Sequence, residues 1–265
     1  MKRPQVVAHR GSSATLAEHT LGAYLRALDE GADALECDVR LTADGHLVCV
    51  HDRTLRRTAA LDSLVSNMEL AELEKLDFAR WKHPWADLDD EFDEPDQRIG
   101  GVLTMRTLLE TAADHPRRVE LAIETKHPTR YAGLVERRLV ELLDDFGWAG
   151  ADSPVRVMSF SWVALRRVRR LAPGLPLVFL MDAPHEWAMS RPFAEPDWIA
   201  GPGIALVREH HDLIAKIRAA GTRVHVWTVN QAADLERCLD LGVEAVITDR
   251  PAEIRAHLDR IGATG

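Results

Sequence analysis

The chain has 265 residues, 46% hydrophobic and 28% charged, enough for a sizeable core in one large domain or two small ones, which excludes disorder as the main state. Thirty-three Lys and Arg against 42 Asp and Glu leave a formal charge of -9, which argues against a general nucleic-acid binder with its basic footprint. No apolar run approaches the ~18 residues of a membrane span, so stable membrane insertion is not expected.

Residues 2–8 are too short an apolar stretch for a signal peptide. Cys37, Cys49 and Cys238 make no disulfide framework and show no CxxC spacing. A cytoplasmic protein is the expectation. Val6-Val7-Ala8 reads as a strand, and Thr20 as the cap of a helix with Leu21, Leu25 and Leu28 on one face, ended at Gly31.

Twelve residues separate Asp38 from His51 and include Ala43-Asp44-Gly45. A parallel crossover needs about 10–12 residues besides its flanking strands, so this segment reads as an antiparallel hairpin. With Asp44-Gly45 as a two-residue turn, Ala43 faces His46 and Asp38 faces His51. Glu36, Asp38 and His51 then share one face, and a one-residue slip would scatter them. The same register puts Cys37 and Cys49 on unlike faces.

Residues 53–101 depart from the pattern. They hold Trp81, Trp85 and the run Asp87 to Asp96, seven of whose ten residues are acidic. A charge run is ordinarily a solvated loop; the whole segment reads as an insertion large enough to cover one side of a site. From residue 119 a short β-branched run followed by a glycine-closed helix recurs. Strands are expected at 119–124, 155–160, 177–180, 223–228 and 246–248, and helices at 161–171, 208–220 and 231–241. Pro251 suits the first turn of a last helix. About eight such units fit the length, so a (β/α)8 barrel is the expected fold of a single domain spanning residues 1–265. A doubly wound open sheet is second, with no GxGxxG or P-loop to support it.

Active sites of such barrels lie at the C-terminal strand ends. There the sequence places His9 and Arg10, Glu36 and Asp38, His51, Glu124 and Lys126, and Trp227. Taken singly, each is ordinary: a strand-end histidine is usually a surface group, and Glu-x-Asp a solvated edge. Together they are too many charges to bury without purpose. Three carboxylates suit a hard divalent cation, and Arg10 with Lys126 suits a phosphate. Two histidines, with a reference pKa near 6.5, could divide general-acid and general-base work. Such a set makes a phosphodiester-cleaving site.

His9-Arg10-Gly11, Glu36-Cys37-Asp38-Val39, His51-Asp52, Glu124-Thr125-Lys126, Trp227-Thr228-Val229-Asn230 and Ile247-Thr248-Asp249-Arg250-Pro251 resemble, in order, the glycerophosphodiester phosphodiesterase family. The resemblance runs from residue 6 to about 256. It implies a barrel with a small inserted segment and hydrolysis of glycerophosphodiesters to sn-glycerol 3-phosphate and an alcohol such as choline, ethanolamine or glycerol. Carried over by position, His9 and His51 match an acid/base pair. Glu36, Asp38 and Glu124 match ligands of one divalent cation (Mg²⁺, Ca²⁺ or Mn²⁺), Arg10 and Lys126 phosphate-binding groups, and Trp227 an aromatic near the glycerol end.

One departure stands out: Glu18-His19-Thr20 replaces the family's Glu-Asn-Thr. His19 either takes over the Asn contact through a ring nitrogen or is exposed. Two other functions compete. One is phospholipase D-like cleavage of lysophospholipids or sphingomyelin, on which the resemblance bears through a shared barrel and site. The other is an inactive barrel serving as a binding module, for which a lost histidine or carboxylate would be the mark. The oligomeric state is open.

Overall fold

The short β-branched runs form strands buried on both faces, as a parallel sheet covered by helices requires. The computed structural model describes residues 3–83, 97–127, 129, 131–190 and 192–262; Trp85 and the acidic run Asp87 to Asp96 lie outside them. Nine strands follow in chain order. They are β1 (Gln5–His9), β2 (Ala34–Leu41), β3 (Leu47–Cys49), β4 (Glu120–Thr125), β5 (Val155–Ser159), β6 (Leu177–Met181), β7 (Ile199–Pro202), β8 (His225–Val226) and β9 (Ala245–Thr248).

Eight of them pair in parallel in the order β7-β6-β5-β4-β2-β1-β9-β8, while β3 runs antiparallel on β2. Single bridges from Ala200 to Val224 and from Gly203 to Trp227 join β7 to β8, so the sheet closes into a (β/α)8 barrel. Val7, Ala122, Met158, Val178 and Ile247 fill its interior. A larger core between strands and helices includes Leu35, Ile123, Leu139 and Leu165.

Local signals set most boundaries. Thr20, Thr104 and Ser161 each accept a backbone N–H in the first turn of the helices Leu21–Asp29, Met105–Ala113 and Trp162–Leu171. Four expectations change. The first helix buries Ala23, Tyr24, Ala27 and Leu28, and Leu25 is 40% exposed. The reason is close approach: a Cβ on Gly11 would stand 2.6 Å from the Ala23 carbonyl carbon, so the small residues face inward. The helix expected at 208–220 breaks at His210 into Ile204–Glu209 and His211–Ala219. The run 223–228 keeps only two strand residues, with Val224 and Trp227 held by bridges.

The hairpin register is the fourth. Val39 pairs with Cys49 and Leu41 with Leu47, one residue away from the expected pairing, and Asp38 stands opposite Val50 rather than His51. The loop has three residues, with Gly45 in the left-handed region at φ +86°. Thr42 pins it, its Oγ1 accepting from His46 N (2.9 Å). Cys37 and Cys49 accordingly lie on one face, both buried and free. Residues 48–78 build a small separate core from Val48, Val50, Leu55, Val65, Leu73 and Phe78.

Candidate active site

Alternation along β2 turns Glu36 and Asp38 into the barrel, and pairing with β1 and β4 sets His9 beside Glu36 and Glu124 beside Asp38. Glu36, Asp38 and Glu124, all buried, each offer one oxygen within 4.8 Å of the others. Lys126 Nζ lies 2.9 Å from Asp38 Oδ1 and 2.8 Å from Glu124 Oε1. Arg10 Nε lies 3.0 Å from Asp38 Oδ2, and the Arg10 backbone N–H donates to Glu36 Oε2 (3.1 Å). Arg10 holds this position with φ +58°, followed by Gly11 at +87°.

Burial dominates the electrostatics. It pushes Glu36 well above the usual carboxylate range and Glu124 up to about 8, in each case with help from the Asp38 charge. Burial would also raise Asp38, but Lys126, His19 and Arg10 override it and hold that carboxyl well below its ordinary value. Three buried oxygen donors that cannot all keep their charge on two side-chain cations fit a hard divalent cation, with Glu36, Asp38 and Glu124 as its ligands.

Each expected catalytic histidine is anchored by a carboxylate. His9 Nδ1 lies 2.6 Å from Asp249 Oδ1, and Asn230 Nδ2 (2.6 Å) and Ser13 Oγ (2.9 Å) donate to the same carboxylate. Those donors overcome burial and hold Asp249 down at about 2. His51 Nδ1 lies 2.7 Å from Asp52 Oδ1, and Arg57 Nε donates to Asp52 Oδ2 (2.7 Å). Burial, with Arg10 and Lys126 adding to it, lowers His51 below the ordinary imidazole value despite the pull of Asp38 and Asp52. In both rings the carboxylate takes Nδ1, which leaves Nε2 for proton transfer.

Despite the changed register, His51 reaches the site. It follows the end of β3 in a bend where strand alternation no longer applies, and Arg40 grips its carbonyl through Nε (3.0 Å) and Nη2 (2.7 Å). A cavity of about 280 Å³ is lined by His9, Arg10, Glu36, His51, Glu124 and Lys126, with Met158, Phe160, Leu180 and Trp227 as its apolar wall and the Asp182 carboxylate beside them. Trp227 donates its indole N–H to Gly201 O (2.8 Å) and meets Phe160 edge-on at 5.5 Å.

Seven of the eight residues expected from the sequence line this cavity, and the eighth, Asp38, is buried against Arg10 and Lys126 in the carboxylate cluster. His19 takes the contact role: it is buried, with Nε2 2.8 Å from Asp38 Oδ2 and Nδ1 2.9 Å from the Tyr24 hydroxyl, which donates to Glu36 O (3.0 Å). The supports of Asp249, Asp52 and Glu18 carried no assigned role in the sequence. Glu18 accepts from Arg10 (3.1 Å) and from both ends of Arg57. Asp52 was detectable by adjacency to His51; Asp249 and Asp182 depend on barrel closure.

A barrel mouth with this carboxylate cluster, two cations and two anchored histidines defines the class, a TIM-barrel phosphodiesterase. The sequence model of the glycerophosphoryl diester phosphodiesterase family matches residues 9–253. A probable glycerophosphodiester phosphodiesterase 1 of Mycobacterium tuberculosis is 43% identical over 99% of this chain and 95% of its own length. The glycerophosphodiester phosphodiesterase of Bacillus subtilis is 33% identical over 92% of this chain and 83% of its own. An Oleispira antarctica phosphodiesterase, solved in complex with the product sn-glycerol-3-phosphate, superposes with a TM-score of 0.80 at 27% identity, covering 97% of each chain. The chain belongs to the glycerophosphoryl diester phosphodiesterase family and is a phosphodiesterase.

Proposed function

We propose that this enzyme hydrolyses water-soluble glycerophosphodiesters, such as glycerophosphocholine and glycerophosphoethanolamine, to sn-glycerol 3-phosphate and the alcohol. The observation that carries it is the pair of carboxylate-anchored histidines, His9 and His51, on one small cavity with the three-carboxylate cluster. The product bound in the Oleispira structure supports the same chemistry.

One histidine takes the proton of the glycerol 2-hydroxyl as its oxygen attacks phosphorus, and the other protonates the departing alcohol. Water then opens the cyclic phosphate with the roles exchanged. Arg10 and Lys126 hold the phosphate, and Trp227 packs on the glycerol end. Glu36, Asp38 and Glu124 would hold a divalent cation, Mg²⁺, Ca²⁺ or Mn²⁺, which when bound would supply positive charge to stabilise the phosphoryl group. Asp249 and Asp52 keep each imidazole oriented.

We place the enzyme in the cytoplasm as a single barrel domain, with residues 53–101 inserted. The free, buried cysteines support the compartment, and the separate small core at 48–78 supports the insertion. Among the described residues no helix is long and apolar enough to cross a membrane. Its partners are small-molecule diesters rather than nucleic acid, in keeping with the net charge of -9.

A second reading, cleavage of lysophospholipids, draws on apolar residues after β5 and β6. Phe160 and Phe193 are each 40% exposed, and Met189 67%. Release of the alcohol, choline or ethanolamine, from glycerophosphocholine, glycerophosphoethanolamine and lysophosphatidylcholine decides between them. Metal-dependent release from the two soluble diesters is expected; turnover of the lysolipid alone would favour the second reading.

A further inference from the structure

The opposite end of the barrel carries its own charged cavity, of about 680 Å³. It opens at the N-terminal strand ends, where Gln5 begins β1, Glu120 begins β4 and His225 begins β8. Arg156 has the same facing on β5 as the interior residue Met158, so its guanidinium enters the barrel from below. Arg3, Arg218 and Arg223 complete a set of four guanidiniums in the lining.

The lining also holds three carboxylates, Asp33, Glu120 and Glu244, so the guanidiniums are in excess by one. Glu120 Oε2 accepts from Arg156 Nη1 (3.1 Å) and Gln5 Nε2 (2.8 Å). Glu244 takes Arg223 Nε at 2.5 Å but stands 3.6 Å from Arg218 Nη1. Asp33 takes Arg255 Nη1 at 2.9 Å and stands 3.8 Å from Arg3 Nη2.

The carboxylates leave donors over. Arg156 Nε and Nη2, Arg218 Nε and Arg3 Nη2 are buried without a hydrogen-bond partner. The Arg156 side chain is only 6% exposed. Burying a guanidinium with two of its nitrogens unpaired is costly, and the cost falls when an anion completes the set. Helices of this barrel end at the same face, and their C-terminal carbonyls oppose an anion there. The guanidinium excess and the unpaired nitrogens of Arg156 and Arg218 act against that opposition, and their planar forks match the oxygens of a phosphate.

We propose that this cavity is a second, non-catalytic site for a tetrahedral oxyanion, inorganic phosphate or a small phosphomonoester, held by Arg156, Arg218 and Arg223. It lies across the barrel from His9 and His51, so it neither overlaps the reaction nor requires the substrate assignment above.

The test is calorimetric titration of the metal-stripped full-length protein with inorganic phosphate and, separately, sn-glycerol 3-phosphate, each at ionic strength fixed with sodium chloride. Saturable binding is expected to persist in Lys126→Ala, which weakens the catalytic phosphate site, and to fall at least tenfold in Arg223→Ala. Arg223 is half exposed, so its truncation leaves the fold intact. Arg218→Ala serves as an independent second variant. In the Lys126→Ala protein, tighter binding of glycerol 3-phosphate than of phosphate, weakened again by adding Arg223→Ala, identifies the ester as occupant, and equal binding identifies the free oxyanion. Binding lost in Lys126→Ala but kept in both arginine variants, or heat that never saturates, overturns the proposal.

Discussion

His9 Nδ1 and Asp249 Oδ1 stand 2.6 Å apart although 240 positions separate them in the chain. The contact exists because β1 and β9 are neighbours in the closed barrel, with Ala8 opposite Thr248. A carboxylate in that position fixes which ring nitrogen carries the proton and aims the other at the reacting group. Replacing Asp249 with Asn keeps the shape and removes the charge. The expected result is a fall in kcat of at least tenfold with little change in fold, read by glycerol 3-phosphate release and circular dichroism; a variant with wild-type kcat would remove Asp249 from the mechanism.

His9→Ala and His51→Ala are each expected to lower kcat by about 10²–10⁴-fold, the usual contribution of a positioned acid or base. The double variant should lose little more than either single one, because the two groups act in one proton circuit. Full activity in either single variant rules out the two-histidine scheme.

The pH dependence follows from His51. Burial and the nearby Arg10 and Lys126 lower its pKa, so it stays neutral further into acid than an exposed imidazole does. In the step where His51 is the base its neutral form is the competent one, and an acidic limb of kcat/KM set by His51 should therefore fall below about pH 6.5. A limb at or above that value in wild type, unmoved by His51→Ala, contradicts the assignment.

Cation binding should release protons. In the cation-free protein burial and the Asp38 charge raise Glu124 to about 8, so at pH 7 it holds its proton, which a ligating carboxylate must lose. The apparent affinity for Mg²⁺ or Ca²⁺ is therefore expected to rise from pH 6 to pH 8. Titrations at pH 7 in two buffers of unlike ionisation heat measure the proton count directly; a count of zero excludes this linkage. Treatment with EDTA should abolish turnover and re-addition of the cation restore it.

Gly11 offers a stability test of the backbone that carries Arg10. Its φ is +87°, and an added Cβ would lie within 2.7 Å of Ala23 backbone and side-chain atoms. Gly11→Ala combines left-handed strain with overpacking, and a loss of at least about 2 kcal/mol is expected by denaturant unfolding. An unchanged midpoint would mean that the first helix can shift outward freely.

Much of the site was legible because the chemistry sits at strand ends within short motifs. The spacing His9-Arg10, Glu36-x-Asp38 and Glu124-x-Lys126 carries its own geometry, since alternation turns residues two apart to the same side. The resemblance in order along the chain then supplied what the spacing alone left open. His51 was expected at the site through a pairing that does not occur. A three-residue loop at Gly45 shifts the register by one, and a bend after β3 brings the imidazole back. The helix face containing Leu25 was misread for a related reason. Hydrophobicity ranked Leu25 above Ala23, but the close approach of Gly11 selects the alanine.

The sequence by itself determined the alternation of strands and helices, the capped helix starts and the set of charged residues gathered at the barrel mouth. These are local properties: periodicity, caps and motif spacing act over a few residues. Only the tertiary structure decided that Asp249 supports His9, that His19 rests on Asp38, and that Arg156 meets Arg218 and Arg223 beneath the barrel. Those relationships depend on closure of the sheet between β7 and β8 and on which neighbour reaches each buried charge, and neither is encoded within one stretch of chain.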